Sequence, residues 1–397
     1  MPSPNIKPTW PERSSAISFF MKTVLVTGFQ GFIGKHVIEA LSRFQDIEVI
    51  GFHRGMNLSV IAEALPRVSV IYHLAGVNRP IDPAEFETGN YGLTAELCRL
   101  MAGQSSRPLV VYASTVQAAL DNAYGQSKRQ AEEQLACWAR AEGGRVVVFR
   151  LQNVFGKWCR PNYNSVVATF CHNIARELPI AISDRARELE LVYIDDVVAA
   201  LIGVADRTLA PGECIHATVE RSYRVSLGGI ADTLQAFRAM RTTLAVPDMR
   251  DDFTRRLYGT YVSYLEADKF AYALQQRSDP RGTLAEFVKQ SGFGQIFVSR
   301  TLPGITRGNH YHHTKTEKFL VLEGEALVRF RSILGGDVIE YPVRGIDLRV
   351  VDIPTGYTHS IENTGSTELI TLFWASEVFD PSSPDTFACN VLTPTLS

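Results

Sequence analysis

Residues 22–44 read KTVLVTGFQGFIGKHVIEALSRF. KTVLVTG is almost continuously apolar and ends in glycine, the pattern of a strand buried on both faces. Gly28, Gly31 and Gly34 follow, and then the apolar-periodic run KHVIEALSRF predicts a helix. Strand, glycine turn and helix in that order form a dinucleotide-binding signature. Gly28 permits the tight turn, Gly31 lets a pyrophosphate approach the backbone, and Gly34 lets helix and strand pack closely. The phosphates are expected at the helix start, beside Phe32 and Ile33.

Further strands flank this unit. EVIGF (48–52) is followed by His53 and Arg54, with no carboxylate at its end to bind a ribose diol. Arg54 suits a ribose 2′-phosphate, so NADP(H) is expected over NAD(H). SVIYHLAG (69–76) ends in a second turn, Leu74, Ala75 and Gly76, and is also expected to border the cofactor. RPLVVYAST (107–115) and RVVVFRLQNVFG (145–156) complete an alternation of strands and helices that reads as a doubly wound α/β domain. From 157 to 275 the pattern loosens into a smaller substrate lobe over the crevice, in which Asp195-Asp196 is expected to cap a helix.

A catalytic group falls within this frame. Tyr124 and Lys128 are four residues apart on one helical face, and Thr115 ends the preceding strand. An ammonium near a phenol stabilises phenolate and lowers its pKa. Tyr124 can then exchange a proton with a carbonyl or alcohol oxygen that Thr115 also hydrogen-bonds, while a nicotinamide supplies hydride.

After SDPRGT (278–283) the composition changes to short strands and many glycines, an all-β barrel-like pattern. Within it stands GITRGNHYHHTKTEKFLVLEG (304–324). His310 and His312 are two apart and share one side of a strand. Glu317 opens the next apolar run, and PTGYTH supplies His359. Three imidazoles and one carboxylate can share a divalent ion if the strands fold back, and Zn²⁺ suits that ligand set. A non-haem iron dioxygenase would use similar ligands, but leaves the first domain unexplained. Tyr311, His313 and Lys318 alternate away from the ligands.

The chain has 397 residues, 45% apolar, and a formal charge of -2, so no nucleic-acid or anionic-membrane surface is expected. No run is long enough for a transmembrane span. The six cysteines form no CxxC pair and read as free thiols in a cytoplasmic protein. Residues 1–20 hold four prolines without periodicity and are expected to be a disordered extension, with Met21 as a candidate original start. The expected domains are 21–276 and 277–397.

The first half resembles the extended short-chain dehydrogenase/reductase family, in the branch that handles nucleotide sugars. TGFQGFIG, HLAGVN, Ser114-Thr115, YGQSK and RLQNVFG carry the resemblance, and Asn90 matches the family's helix asparagine. It implies Thr115, Tyr124 and Lys128 as catalytic, with Asn78, Arg79, Asn153, Lys157, Asn162 and Asn164 facing the substrate. Val116 and Gln117 stand where the family's 4,6-dehydratases carry an Asp and a Glu, so elimination of water is not expected. The second half resembles a cupin, a jelly-roll barrel, through G-x5-H-x-H-x4-E-x6-G and P-x-G-x2-H-x3-N, with Leu348 in place of the usual upstream glycine.

Taken together, HLAGVNRP, FGKWCRPNYNSVVATF, NHYHHTKTEKFLV and DIPTGYTHSIEN resemble the bifunctional capsular and O-antigen biosynthesis enzymes of the CapF/WbjC type. That resemblance implies a UDP-linked 4-keto-6-deoxy amino sugar as substrate. It further implies C3 epimerisation in the cupin, then NADPH-dependent C4 reduction, giving UDP-2-acetamido-2,6-dideoxy-L-talose on the route to UDP-N-acetyl-L-fucosamine. The C3 base stays open among Tyr311, His313 and Lys318. A homodimer through the cupin is expected. The alternatives are a single-function reductase or 4-epimerase with a structural, dimerising cupin, or a cupin that only binds sugar.

Overall fold

The computed structural model describes residues 23–279, 282–285, 294–377 and 382–392. The N-terminal extension expected at 1–20 lies outside them.

Strand β1 (Thr23–Thr27) is buried along its whole length. It pairs in parallel with β2 (Glu48–Phe52) on one side and β3 (Val70–His73) on the other. β4 (Leu109–Thr115), β5 (Arg145–Leu151) and β8 (Cys214–Ala217) extend the parallel sheet in the order β2-β1-β3-β4-β5-β8. Alternate side chains of one strand enter different cores. Val24 and Val26 join one cluster and Leu25 the other; Val111 and Val110 divide in the same way. Both faces are therefore covered, which is why these strands read as unbroken apolar runs. The chain leaves β1 for β2 on one side and returns to β3 on the other. This reversal opens a crevice outside the carboxyl ends of β1 and β3, where doubly wound folds bind ligands.

Strands β6 (Asn153–Phe155), β7 (Glu188–Tyr193) and β9 (Tyr223–Ser226) form a separate small sheet. The first helix of the domain is α1 (Phe32–Leu41), and α2 (Ala123–Glu142) follows β4. Helix α3 (Val166–Ala175) is capped by Ser165, α5 (Leu227–Thr243) by Ser226 and α6 (Asp252–Val262) by Asp251, each side chain accepting a first-turn N–H. Between them α4 (Ile194–Gly203) departs from expectation. Its cap is Tyr193, and Asp195 and Asp196 lie in the first turn. Asp195 is fully buried against Lys157, and Asp196 binds the buried Arg256. Both carboxylates serve packing of the lobe, where desolvated cations need partners.

The C-terminal domain is two five-stranded antiparallel sheets. β10 (Ala271–Ala273) is the edge strand of the first, ordered β10-β18-β15-β20-β13. A hairpin of β11 (Gln276–Asp279) and β12 (Gly282–Ala285) comes between. The other members are β13 (Gln295–Thr301), β15 (Glu317–Glu323), β18 (Arg349–Ile353) and β20 (Leu369–Ala375). The second sheet is β17-β16-β19-β14-β21. It contains β14 (Thr306–Tyr311), β16 (Glu325–Ser332), β17 (Ile339–Arg344), β19 (Tyr357–Asn363) and β21 (Phe387–Ala388). Because β10 pairs with β18, the sheet recruits residues from before position 277.

The two domains share a buried contact. Phe270 meets Phe330 and Tyr357 edge-on, at ring separations of 5.6 and 5.3 Å. Lys318, placed outward by strand alternation, is 1% exposed rather than solvated. It binds Asp352, which Arg241 of α5 also reaches at 3.2 Å, and donates to Tyr272 Oη at 3.3 Å. Removing one member of a buried pair leaves the other charge stranded. Lys318→Met should therefore cost on the order of 3 kcal/mol, limited by the remaining Arg241 contact. Urea unfolding checks this; an unchanged midpoint would mean that the pair contributes no stability.

Candidate active site and metal centre

The crevice is built from close backbone contacts. Gly28 has φ +70°, and a Cβ there would lie 2.7 Å from Ala75 Cα. A Cβ on Gly34 would lie 2.2 Å from Gly28 O, so α1 and β1 approach as closely as glycine alone allows. Thr27 Oγ1 accepts from Ala75 N at 3.2 Å and ties the two turns together. Gly31 caps α1 without a side-chain hydrogen bond, leaving the helix-start N–H groups to a ligand. These residues fit a dinucleotide: Gly28, Gly31 and the α1 start would hold its pyrophosphate, and Leu74, Ala75 and Gly76 would border it.

Asn90 sits in a π-helix (Glu87–Gly92) and is buried. Its Oδ1 accepts from Val77 N at 2.8 Å, and its Nδ2 donates to Val77 O and to Ser127 Oγ, at 3.0 and 2.9 Å. It thereby clamps the turn after β3 to α2, the helix carrying Tyr124 and Lys128. Such π-turns in α-helical segments often mark functional positions.

Thr115 ends β4 and its Oγ1 accepts from Gln117 N at 3.2 Å. Lys128 Nζ donates to Ala113 O at 2.7 Å and lies 4.3 Å from the centre of the Tyr112 ring. Burial lowers Lys128 to about 7. The Tyr124 phenol is raised, by burial and then by Tyr163. The depressed phenol expected from a nearby ammonium is not what the polypeptide creates, because Lys128 is itself desolvated and directed to a carbonyl. Phe86 packs against the Tyr124 ring at 5.7 Å.

The residues expected to face substrate separate into two groups. Arg79 Nε donates to Asn164 Oδ1 at 3.1 Å, joining the turn after β3 to the loop before α3. Asn153 is exposed and donates to Glu190 O, while Asn162 takes φ +53° in that same loop. Asn78 is half-buried in the turn after β3. Lys157 is different: it is 0% exposed, and its Nζ lies 2.9 Å from Asp195 Oδ1. It holds the lobe together and is not free to meet a substrate. Arg54 is exposed after β2, with Glu85 at 2.6 Å; His53 Nδ1 lies 2.6 Å from Arg54 O. Arg54→Ala should raise the KM for NADPH about tenfold, the size of one charge-assisted contact, and leave NADH nearly unchanged. Equal losses with both cofactors, measured by steady-state kinetics, would remove the 2′-phosphate assignment.

In the C-terminal domain His310, His312, Glu317 and His359 converge, each with one donor atom within 4.8 Å of the others. They come from both sheets: β14 and the loop after it, the start of β15, and β19. His310 and His359 face each other across the β14–β19 ladder. His312 Nε2 and His359 Nε2 each lie 3.4 Å from Glu317 Oε2. A tetrahedral ion with bonds of about 2.1 Å has ligand separations of about 3.4 Å. Both Nε2 atoms are buried without a hydrogen-bond partner. Burial and the neighbouring imidazoles lower His310 to about 3, so it stands neutral with a lone pair to donate. Burial alone would raise Glu317, but His312 and His359 hold it well below the usual carboxylate range. The donor set fits a divalent cation. Leu348, where a glycine was expected, takes φ +44° itself, so the turn is kept with a side chain in the left-handed region.

Tyr311 and His313 turn away from the cluster and meet α1. Tyr311 Oη donates to Glu39 Oε1 at 2.5 Å, and His313 Nε2 lies 3.3 Å from Glu39 Oε2. None of Tyr311, His313 and Lys318 faces the cluster of His310, His312, Glu317 and His359. Sequence reasoning missed Glu39, Trp158 and Asp385. Trp158 packs against His36 of α1 with tilted rings 4.4 Å apart and lies under Gly356, in the turn before His359. No local pattern marks these residues, since their partners are remote in the chain.

The doubly wound sheet and its glycine crevice are those of a nicotinamide-dependent oxidoreductase of the short-chain dehydrogenase/reductase type. The NAD dependent epimerase/dehydratase family model matches residues 24–215, and that of the polysaccharide biosynthesis C-terminal domain matches 277–387. The chain is 45% identical, over 93% of its length and 98% of the relative's, to UDP-2-acetamido-2,6-beta-L-arabino-hexul-4-ose reductase of Pseudomonas aeruginosa. The capsular polysaccharide assembling protein CapF of Staphylococcus aureus is 40% identical, with 93% of this chain and 100% of that one covered and a TM-score of 0.62. A CapF structure with the inhibitor 3-isopropenyl-tropolone is 38% identical over the same shares, with a TM-score of 0.59. The chain belongs to the CapF/WbjC family of nucleotide-sugar biosynthesis enzymes. Among the described residues no helix is long and apolar enough to cross a membrane.

Proposed function

We propose that the chain reduces the C4 ketone of a UDP-linked 2-acetamido-2,6-dideoxy-hexos-4-ulose, with NADPH as cofactor. The observation that carries this reading is Thr115, Tyr124 and Lys128 at the carboxyl ends of the parallel strands, with Val116 and Gln117 in place of dehydrating carboxylates. The reaction named for the Pseudomonas relative supports the substrate class. When bound, the nicotinamide supplies hydride. Tyr124 Oη gives a proton to the developing C4 alkoxide, Thr115 hydrogen-bonds the same oxygen, and Lys128 lies beside the second glycine turn to orient the cofactor. The lobe residues Asn78, Arg79, Asn153, Asn162 and Asn164 are assigned to the nucleotide sugar.

A second activity is favoured by the four converging ligands. In this reading the C-terminal domain, a cupin barrel, epimerises the ketone at C3 before reduction, giving UDP-2-acetamido-2,6-dideoxy-L-talose on the route to UDP-N-acetyl-L-fucosamine. A divalent ion, best matched by Zn²⁺, would supply Lewis acidity at the C4 oxygen. The tropolone inhibitor of CapF supports a metal, since tropolones chelate cations through adjacent oxygens. With Tyr311, His313 and Lys318 turned to the other domain, the C3 base belongs to the face that holds the ligands. Exposed Ile296, Leu302 and Ile305, on and after the edge strand β13, support self-association through this domain in a cytoplasmic homodimer.

The test is purified protein with the 4-keto UDP-sugar and NADPH, in ordinary and deuterated water, with products identified by NMR. Reduction with deuterium at C3 supports both activities. Reduction with no exchange leaves a single-function reductase with a structural C-terminal domain. NADPH that is never consumed would sink the reductase reading.

A further inference from the structure

We propose that Asp385 is the positioning residue of the metal centre: its carboxylate shapes the loop between two ligands, and its own carbonyl orients His312. This rests on the metal reading above. Strand β14 ends at Tyr311 and β15 begins at Glu317, so residues 312–316 leave the β14 ladder just where the ligands His312 and Glu317 must be held at a fixed separation. Asp385 fills that role from a segment remote in sequence. Its Oδ1 accepts from His313 N at 2.9 Å. Its Oδ2 accepts from Thr314 N at 2.7 Å, Lys315 N at 2.6 Å and Thr314 Oγ1 at 2.9 Å. Successive backbone N–H groups converging on one anion make a nest, a geometry that fixes backbone conformation.

The second contact acts on the ligand itself. His312 Nδ1 lies 2.5 Å from Asp385 O. A carbonyl only accepts, so Nδ1 carries the proton and Nε2 keeps its lone pair. That Nε2 is the atom 3.4 Å from Glu317 Oε2. Outer partners of this kind hold the tautomer and ring direction of a metal-bound imidazole. The surrounding segment is anchored independently. Phe387 stacks on Tyr311 with ring centres 5.4 Å apart, β21 pairs with β14, and Thr386 Oγ1 accepts from Lys315 Nζ at 3.1 Å. A substitution at 385 should therefore disturb the loop without releasing the segment.

The experiment uses the full chain, stripped of metal, and titrates Zn²⁺ against a chromophoric chelator. Asp385→Ala removes the carboxylate from the loop but keeps the carbonyl that accepts from His312, and should weaken Zn²⁺ about tenfold, the low end of what loss of an outer partner costs. Asp385→Asn keeps one acceptor oxygen but aims an amide at the N–H groups, and should fall between. Co²⁺ in place of Zn²⁺ should show an altered ligand-field spectrum in Asp385→Ala, a change that simple loss of stability does not produce. NADPH binding, in the other domain, should be unaltered. Should Asp385→Ala fail to fold, the affinity and Co²⁺ spectrum of Asp385→Asn decide alone. Wild-type affinity and spectrum in the variants would overturn the positioning role while leaving the metal reading intact. A wild-type chain that binds neither ion, like a His312→Ala control, would overturn both.

Discussion

Tyr124→Phe should abolish NADPH oxidation with the 4-keto UDP-sugar and leave deuterium uptake at C3 unchanged. The substitution removes one hydroxyl and keeps the ring that packs against Phe86. Proton donation by a positioned side chain contributes about 10²- to 10⁴-fold, and a loss of that size in kcat is expected. NADPH affinity should persist, because the residues assigned to the pyrophosphate lie around Gly28, Gly31 and the start of α1. Stopped-flow measurement of hydride transfer separates the two effects. If the variant loses deuterium exchange together with reduction, both steps belong to the first domain, and the C-terminal domain is left with a structural role.

The complementary change, His312→Ala, should release most of the bound metal and stop deuterium uptake. Reduction of a ketone supplied already epimerised should continue at nearly the wild-type rate. Removing one of four ligands leaves the buried Glu317 with His359 at 3.4 Å and Lys315 at 3.9 Å, too few to complete a four-ligand site. Metal binding free energy is also folding free energy for the loops that carry the ligands, so the melting temperature of the metal-loaded protein should fall as well. Elemental analysis of the purified variant is the direct check. Full metal occupancy would show that His312 is not a ligand.

Much of this enzyme was legible in the chain because its signals are local. A strand buried on both faces is a continuous apolar run, and a glycine turn followed by helical periodicity needs no partner to be recognised. Tyr124 and Lys128 share a helix face at a spacing set by helical geometry alone. His310 and His312 share a strand face for the same kind of reason. Reading Glu317 and His359 with them required a further step, that β15 and β19 of different sheets would face one another.

Alternation along a strand states which side a residue takes, but not what covers that side. By alternation Tyr311, His313 and Lys318 all point away from the four candidate ligands, and they do. Only the packing of α1, α5 and the Phe270 segment turned that outer face from a solvated surface into a domain interface. Lys157 shows the same limit. Its place in the chain suits a substrate contact, yet burial beside Asp195 decides its use, because a desolvated ammonium must be paired. The phenol of Tyr124 likewise takes its raised pKa from burial that no i, i+4 spacing reports. Sequence alone determined the parallel α/β half and the all-β half, the glycine turn, the shared helix face of Tyr124 and Lys128 and the shared strand side of His310 and His312, since each rests on short-range periodicity or spacing. Tertiary structure alone decided which charges are buried, which faces meet and how Asp385 orders the ligand loop, since those outcomes depend on contacts between segments far apart in the chain.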